Sequence, residues 1–186
     1  MNVYDFDKTI YDGDSTLDFY KFCLKRHPSI VLLLPGQILT AVLYKANAIG
    51  KNKFKEYFFG FLQKVPDIDE EVFRFWNEHD AKIKNWYKKN KQNSDIIVSA
   101  SPEFLLKEIC NRMGIKHVVA TQIDKNSGKL TGNNCYGEEK VNRLKKYMPG
   151  IKIHCFYSDS YSDTPVARIS EKAFLVKGDQ IVQWVK

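Results

Sequence analysis

Seven residues near the start, Val3-Tyr4-Asp5-Phe6-Asp7-Lys8-Thr9, constrain this chain more than any other stretch. A short apolar run opens it, and two carboxylates come next at i and i+2. If the run is a buried strand, Asp5 and Asp7 lie at its end, where the pleat gives way to a loop. Two acids crowded there repel each other unless a cation or a shared proton offsets their charge. Hard oxygen ligands of this kind suit a divalent ion such as Mg2+. An EF-hand loop fits worse, because position six counted from Asp5 is Ile10 rather than glycine and no glutamate closes the twelve. Taken alone, the pair is equally well a solvated turn, so its meaning depends on whether the rest of the chain supplies partners.

Residues 10–15 form a turn-rich link ending in helix-capping types. From Thr16 to about Asn90 the apolar residues recur at helical spacing, with breaks at His27-Pro28 and Pro35-Gly36. Asp67-x-x-Glu70 resembles a capping box ahead of Val72, Phe73 and Trp76. At Ser94 the period changes, and 95–99 reads as a buried strand. Ser101 and Pro102 are expected to open the next helix, as N-cap and first helical residue. Further strands are expected at 118–123, 151–157, 173–176 and 181–185, with a helix after Gly137-Glu138-Glu139-Lys140. Alternating strands and helices mean an α/β fold with a parallel sheet covered by helices. The all-helical block cannot fit between adjacent strands of that sheet, so it is expected to stand off as a separate cap. The expected division is 1–14 and 91–186 for the core and 15–90 for the cap.

A chain of 186 residues can hold one full core and a small insert. With 44% hydrophobic and 27% charged residues, the composition is that of a folded globular chain and argues against disorder. The net charge of +7 favours anionic partners, and the segment 15–90, with 13 basic against 8 acidic residues, carries +5 of it. Cys23, Cys110, Cys135 and Cys155 are scattered without ligand spacing, as expected of reduced, packed thiols. The first residues read as a strand with two acids, which argues against a secretory signal. The expected location is cytoplasmic, or peripheral at the inner membrane face.

Three polar clusters each follow an apolar strand run: Asp5 with Asp7, then Ser99, then Asp159 with Asp163. The carboxyl ends of parallel strands share one crevice, where ligands bind. Ser99 also precedes the expected helix N-terminus, whose free N–H groups suit a phosphate. The order Asp5-x-Asp7-x-Thr9, Ser99, Lys140, Asp159, Asp163 resembles the haloacid dehalogenase superfamily of aspartate-nucleophile phosphotransferases, along the whole chain. The helical segment resembles the cap of its phosphoserine-phosphatase-like branch.

That resemblance implies a three-layer α/β/α Rossmann-like sandwich with strand order 3-2-1-4-5 and an inserted α-helical cap. It implies a Mg2+-dependent phosphomonoester hydrolase. Asp5 matches the nucleophile that forms an aspartyl-phosphate, and Asp7 the general acid/base. A second acid at Asp7 argues against a true dehalogenase. Thr9 should steady the loop, while Ser99, Ala100 and Lys140 should hold the phosphoryl oxygens. Mg2+ should be bound by Asp5, Asp159 and the backbone carbonyl of Asp7, supported by Asp163. The family often has glycine near Asp159, where serines stand here. With all four acids ionised the pocket carries −4 against +1 from Lys140, and Mg2+ brings it to −1, so a phosphate dianion is far less repelled.

The substrate is the least determined feature. The expected partner is a small phosphorylated metabolite or a lipid phosphate, and not nucleic acid. Arg26 and Arg74 are the only arginines of the insert, and Asp12 or Asp14 the only acids near the entrance, to serve a phosphoserine-like ligand. The apolar stretches 30–34 and 38–43 are expected to pack the insert's own helices; the alternative is a surface that lies on an anionic membrane. Phosphoryl transfer to another acceptor and a catalytically idle, metal-holding domain are the remaining alternatives.

Overall fold

The computed structural model describes residues 1–185. β1 (Asn2–Tyr4) lies near the middle of a six-stranded sheet, between β2 (Ile96–Pro102) and β4 (Ile153–Ser158), parallel to both. β3 (His117–Thr121) and β5 (Ser170–Lys177) extend the sheet in parallel, and β6 (Gln180–Gln183) is added antiparallel at one edge. The order β3-β2-β1-β4-β5-β6 contains the expected arrangement and adds the edge strand.

Alternate residues of the central strands enter two apolar clusters, as the pleat requires. Val3, Ile96, Val98 and Phe156 pack with Val141 and Leu144 of α7 (Glu138–Tyr147) and Val166 of α8 (Thr164–Arg168). On the opposite face, Tyr4 and Ile97 pack with Leu105, Leu106 and Ile109 of α6 (Glu103–Arg112). Both faces are thus covered, which is why these strands are near-continuous apolar runs. The four cysteines are buried and free.

Between β1 and β2 stand α1 (Ser15–Arg26), α2 (Leu34–Lys45), α3 (Lys51–Phe59), α4 (Ile68–His79) and α5 (Asn85–Asn90), joined by short 3-10 turns except between α2 and α3, where the link is irregular. Asp14 caps α1 by accepting from the Leu17 N–H, and Asp67 caps α4 by accepting from the Glu70 N–H, each at 3.0 Å. Glu70 pairs with Arg74 instead of closing the box. Phe19, Phe61, Phe75 and Trp76 belong to the same apolar cluster as Tyr4, Phe6 and Leu105. The Trp76 indole N–H donates to the Leu105 carbonyl at 2.7 Å. The helical segment therefore shares a core with one face of the sheet.

Two local expectations give way. Ser101 and Pro102 belong to the end of β2, where the register with β3 is irregular between Ser99 and Pro102, and α6 begins at Glu103 without a side-chain cap. The Ser101 hydroxyl goes to Asp7 instead. The apolar stretch 30–43 also does not fill the insert. Ile30 and Thr40 are buried, whereas Val31, Leu32, Ile38, Leu39 and Val42 are 48–79% exposed.

Candidate active site

The loop after β1 is built by one carbonyl. Phe6 O accepts from the N–H groups of Thr9, Ile10 and Tyr11 at 3.0–3.3 Å, folding the chain back on itself. The turn requires Lys8 at φ +58°, a left-handed conformation that costs a non-glycine residue. Its neighbours hold it there: the Lys8 N–H donates to Gly13 O at 2.9 Å, and the buried Lys84 ammonium donates to Lys8 O at 2.7 Å. The Asp5 N–H continues the ladder to Tyr157 O on β4 at 2.9 Å.

The ends of β1, β2 and β4 and the first turn of α7 meet at a cavity of about 180 Å3. Asp5, Asp7, Ser99, Ala100, Lys140, Asp159 and Asp163 all line it. Lys140 donates to Asp5 Oδ1 at 2.7 Å and to Asp163 Oδ2 at 2.6 Å, and all three residues are buried. An ammonium has three protons, so two carboxylates leave one for a ligand. Thr9 lies beneath the cavity. Its hydroxyl donates to Asp5 Oδ2 at 3.2 Å and accepts from the Asp159 N–H at 2.9 Å, joining the first and last motifs through one atom.

Asp7 is held from two sides. Oδ1 accepts from the Ser15 N–H at 2.6 Å, and Oδ2 accepts from the Ser101 hydroxyl. Ser99 Oγ accepts from the Ser101 N–H at 3.1 Å, and among the described residues no acceptor takes its own proton. Ser99 thus meets the cavity from an irregular strand end and not from a helix N-terminus.

Burial dominates the electrostatics. It pushes Asp5 up to about 7 against the pull of Lys140, with Asp163 adding to the rise. Burial, with Asp14 adding to it, pushes Asp7 up to about 6. Asp159 is also raised, chiefly by burial. Burial works against charge on Lys140, but Asp5 and Asp163 together hold its ammonium well above the usual range.

Among the described residues, no three His, Cys, Asp or Glu side chains form a metal cage. The expected ligand set is different: the carboxylates of Asp5 and Asp159 and the carbonyl of Asp7. Asp163 receives Lys140 and Ser158 on the same oxygen, and among the described residues its buried Oδ1 has no partner. Oxygen donors only, one of them bare, fit a hard cation such as Mg2+.

Sequence reasoning missed four participants. Ser101 and the Ser15 N–H hold Asp7, and Ser158, at the end of β4, holds Asp163 at 2.7 Å. The fourth, Lys55, reaches across from α3 to the Ala100 carbonyl and Asn134 Oδ1, each at 2.7 Å. Among the described residues no carboxylate lies within 4 Å of its ammonium, and burial beside Lys51 pushes it down to about 8. Lys55 also lines a second cavity of about 270 Å3 with Leu17, Phe54 and Phe58, which shares Asp7, Asp14 and Ala100 with the first. One turn back, the Lys51 ammonium stands 3.2 Å from the centre of the Tyr136 ring, which faces the acidic cavity. The i, i+4 spacing of Lys51 and Lys55 on an aromatic helix was the available signal. A wider concavity of about 810 Å3, between α4, α6 and the segment after β3, contains none of these residues.

Solved structures share the layout. A protein of unknown function from Bordetella pertussis Tohama I matches with a TM-score of 0.78 at 17% identity, over 93% of this chain and 87% of that one. A phosphoserine phosphohydrolase-like protein from Francisella tularensis matches with a TM-score of 0.53 at 17% identity, over 93% and 86%. At such identities the likeness is one of fold. Among curated relatives, a probable phosphatase of Mycobacterium tuberculosis is 34% identical over 92 residues, which is 46% of this chain. The match spans 32% of that relative's length. The profile of haloacid dehalogenase-like hydrolases matches residues 3–168, from the first strand through α8. The chain belongs to the haloacid dehalogenase-like hydrolase family.

Proposed function

We propose that the chain is a Mg2+-dependent phosphatase that hydrolyses a phosphomonoester through an aspartyl-phosphate on Asp5. The observation that carries this reading is the buried Asp5–Lys140–Asp163 chain, which opens with Asp7 onto one small cavity at the strand ends.

Asp5 attacks phosphorus in line, and the bond from phosphorus to the leaving oxygen breaks. Asp7, kept partly protonated by burial, gives its proton to that oxygen. Asp7 then takes a proton from the water that attacks the aspartyl-phosphate, releasing inorganic phosphate and restoring Asp5. Lys140, the Ser99 hydroxyl and the Ala100 backbone hold the phosphoryl oxygens, and Thr9 fixes the Asp5 carboxylate. Asp5, Asp159 and the Asp7 carbonyl would hold Mg2+, with Asp163 in support. The ion supplies positive charge where the transferred phosphoryl group gathers negative charge.

In this reading residues 15–90 are a cap over a core of 1–14 and 91–186, and the cavity flanked by Lys55, Phe54 and Phe58 receives the leaving alcohol. The first substrate class is a small phosphorylated metabolite. The exposed apolar face of α2 favours a second, a lipid phosphate. Phosphate release from p-nitrophenyl phosphate tests the activity. Turnover should require Mg2+ and vanish in Asp5→Asn; no turnover by a chain that binds Mg2+ normally would instead support the idle, metal-holding domain.

A further inference from the structure

Among the described residues, no element covers the outer side of α2. Ile38, Leu39 and Val42 form one stripe of the helix, at 57–62% exposure, and Val31 and Leu32 continue it in the preceding turn, at 48% and 79%. Single exposed apolar residues are ordinary, but a contiguous face of five marks a surface that meets something. We propose that this face docks on an anionic lipid bilayer.

Charge selects that occupant. From residue 19 to residue 55 the chain holds no Asp or Glu and seven basic residues: Lys21, Lys25, Arg26, Lys45, Lys51, Lys53 and Lys55. Lys25 ends the helix before the apolar face, Lys45 ends α2 itself, and Lys53 stands on α3, which packs against it. Lys21, Lys25, Lys45 and Lys53 are exposed. An apolar stripe among basic residues matches a surface of acyl chains beneath anionic headgroups. A second copy of the chain would bring the same acid-free segment against itself, cation to cation.

The other side of α2 fixes how it would lie. Tyr44 stacks on Phe54 with ring centres 5.0 Å apart, and Gln37 bonds the Tyr20 hydroxyl at 2.6 Å and the Phe58 carbonyl at 3.0 Å. The apolar segment Pro28–Lys45 has 18 residues and a mean hydropathy of 1.4, but this inner packing holds it along the protein surface. It therefore lies in the interface plane. Phe54, Lys55 and Phe58 of α3 line the cavity beside Asp7, so docking brings a bilayer to within one helix thickness, ~10 Å, of that cavity. The docking stands on its own whether or not the chain is a phosphatase.

The test is sedimentation of the full chain with vesicles of phosphatidylcholine containing about one third phosphatidylglycerol, against phosphatidylcholine alone. The anionic vesicles should bind at least about tenfold more protein, and raising the salt to about 1 M should weaken that binding. Leu32→Glu combined with Leu39→Glu should lower it at least about tenfold while the thermal melt stays in place. Ile38→Ser serves as a milder variant should the double one unfold, and should weaken binding in the same direction. Failure to bind anionic vesicles overturns the proposal, as does equal binding by the double variant. So does a dimer in solution that the double variant turns into a monomer.

Discussion

Two helices of the insert have equal length and opposite fates. α4 and α2 are twelve residues each. α4 mixes acids, an arginine and apolar residues, and buries Ile68, Val72, Phe75 and Trp76 along one stripe. α2 has Lys45 as its only charge, yet buries Thr40 alone. The Thr40 hydroxyl turns back to the carbonyls of its own helix, Gly36 and Gln37. An amphipathic pattern announces which side will be covered. A uniformly apolar helix announces nothing, and the number of neighbours decides. The difference divides the molecule into groups whose properties come from enclosure and groups that face outward.

The largest effects should fall on enclosed groups. Lys140→Met leaves Asp5 and Asp163 buried without their cation and should cost about 3–5 kcal/mol in urea unfolding of the Mg2+-free protein. Phe75→Ala on α4 should cost a similar ~3–5 kcal/mol by cavity formation. Next comes Lys55→Met, which removes two charge-assisted hydrogen bonds between α3 and the site; kcat/KM should fall about tenfold or more. A change of less than about twofold would make Lys55 a bystander.

Acid–base linkage gives a subtler effect. Asp5 and Asp7 have folded values above the ordinary 3.8, so between about pH 4 and 7 the folded chain binds more protons than the unfolded one. Their contribution makes the Mg2+-free protein lose stability as pH rises through that window. Asp7→Asn should flatten the decline in a series of thermal melts, and an unchanged slope would contradict burial as its source. The smallest effect belongs to the open face: Ile38→Glu should shift stability by no more than about 0.5 kcal/mol. A loss above about 2 kcal/mol would mean that α2 is covered after all.

The same division explains what could be read before the fold was known. The parallel strands follow from apolar runs alternating with helical segments, and their shared crevice from the acids and serine that end those runs, because strand ends of one sheet converge; the strand order follows only from the family resemblance. Asp5, Asp7, Ser99, Lys140, Asp159 and Asp163 meet there from segments up to 158 residues apart. Ser101 escaped because Ser-Pro is also a helix opening; the irregular end of β2 and the pull of Asp7 override that local preference. Lys55 was one basic residue among 29; its i, i+4 spacing from Lys51 marks a shared helix face, but only the approach of α3 to Ala100 brings it to the site. The outward face of α2 was expected inside, since hydrophobicity alone carries no record of which side has a neighbour.

The most direct measurement is an acid quench of the Mg2+-loaded chain during turnover of a radiolabelled phosphate ester, followed by peptide mapping. The proposed chemistry predicts a hydroxylamine-labile label on the peptide containing Asp5, more abundant in Asp7→Asn and absent in Asp5→Asn. Label on any other residue, or steady turnover with no label in either the unchanged chain or Asp7→Asn, would contradict it.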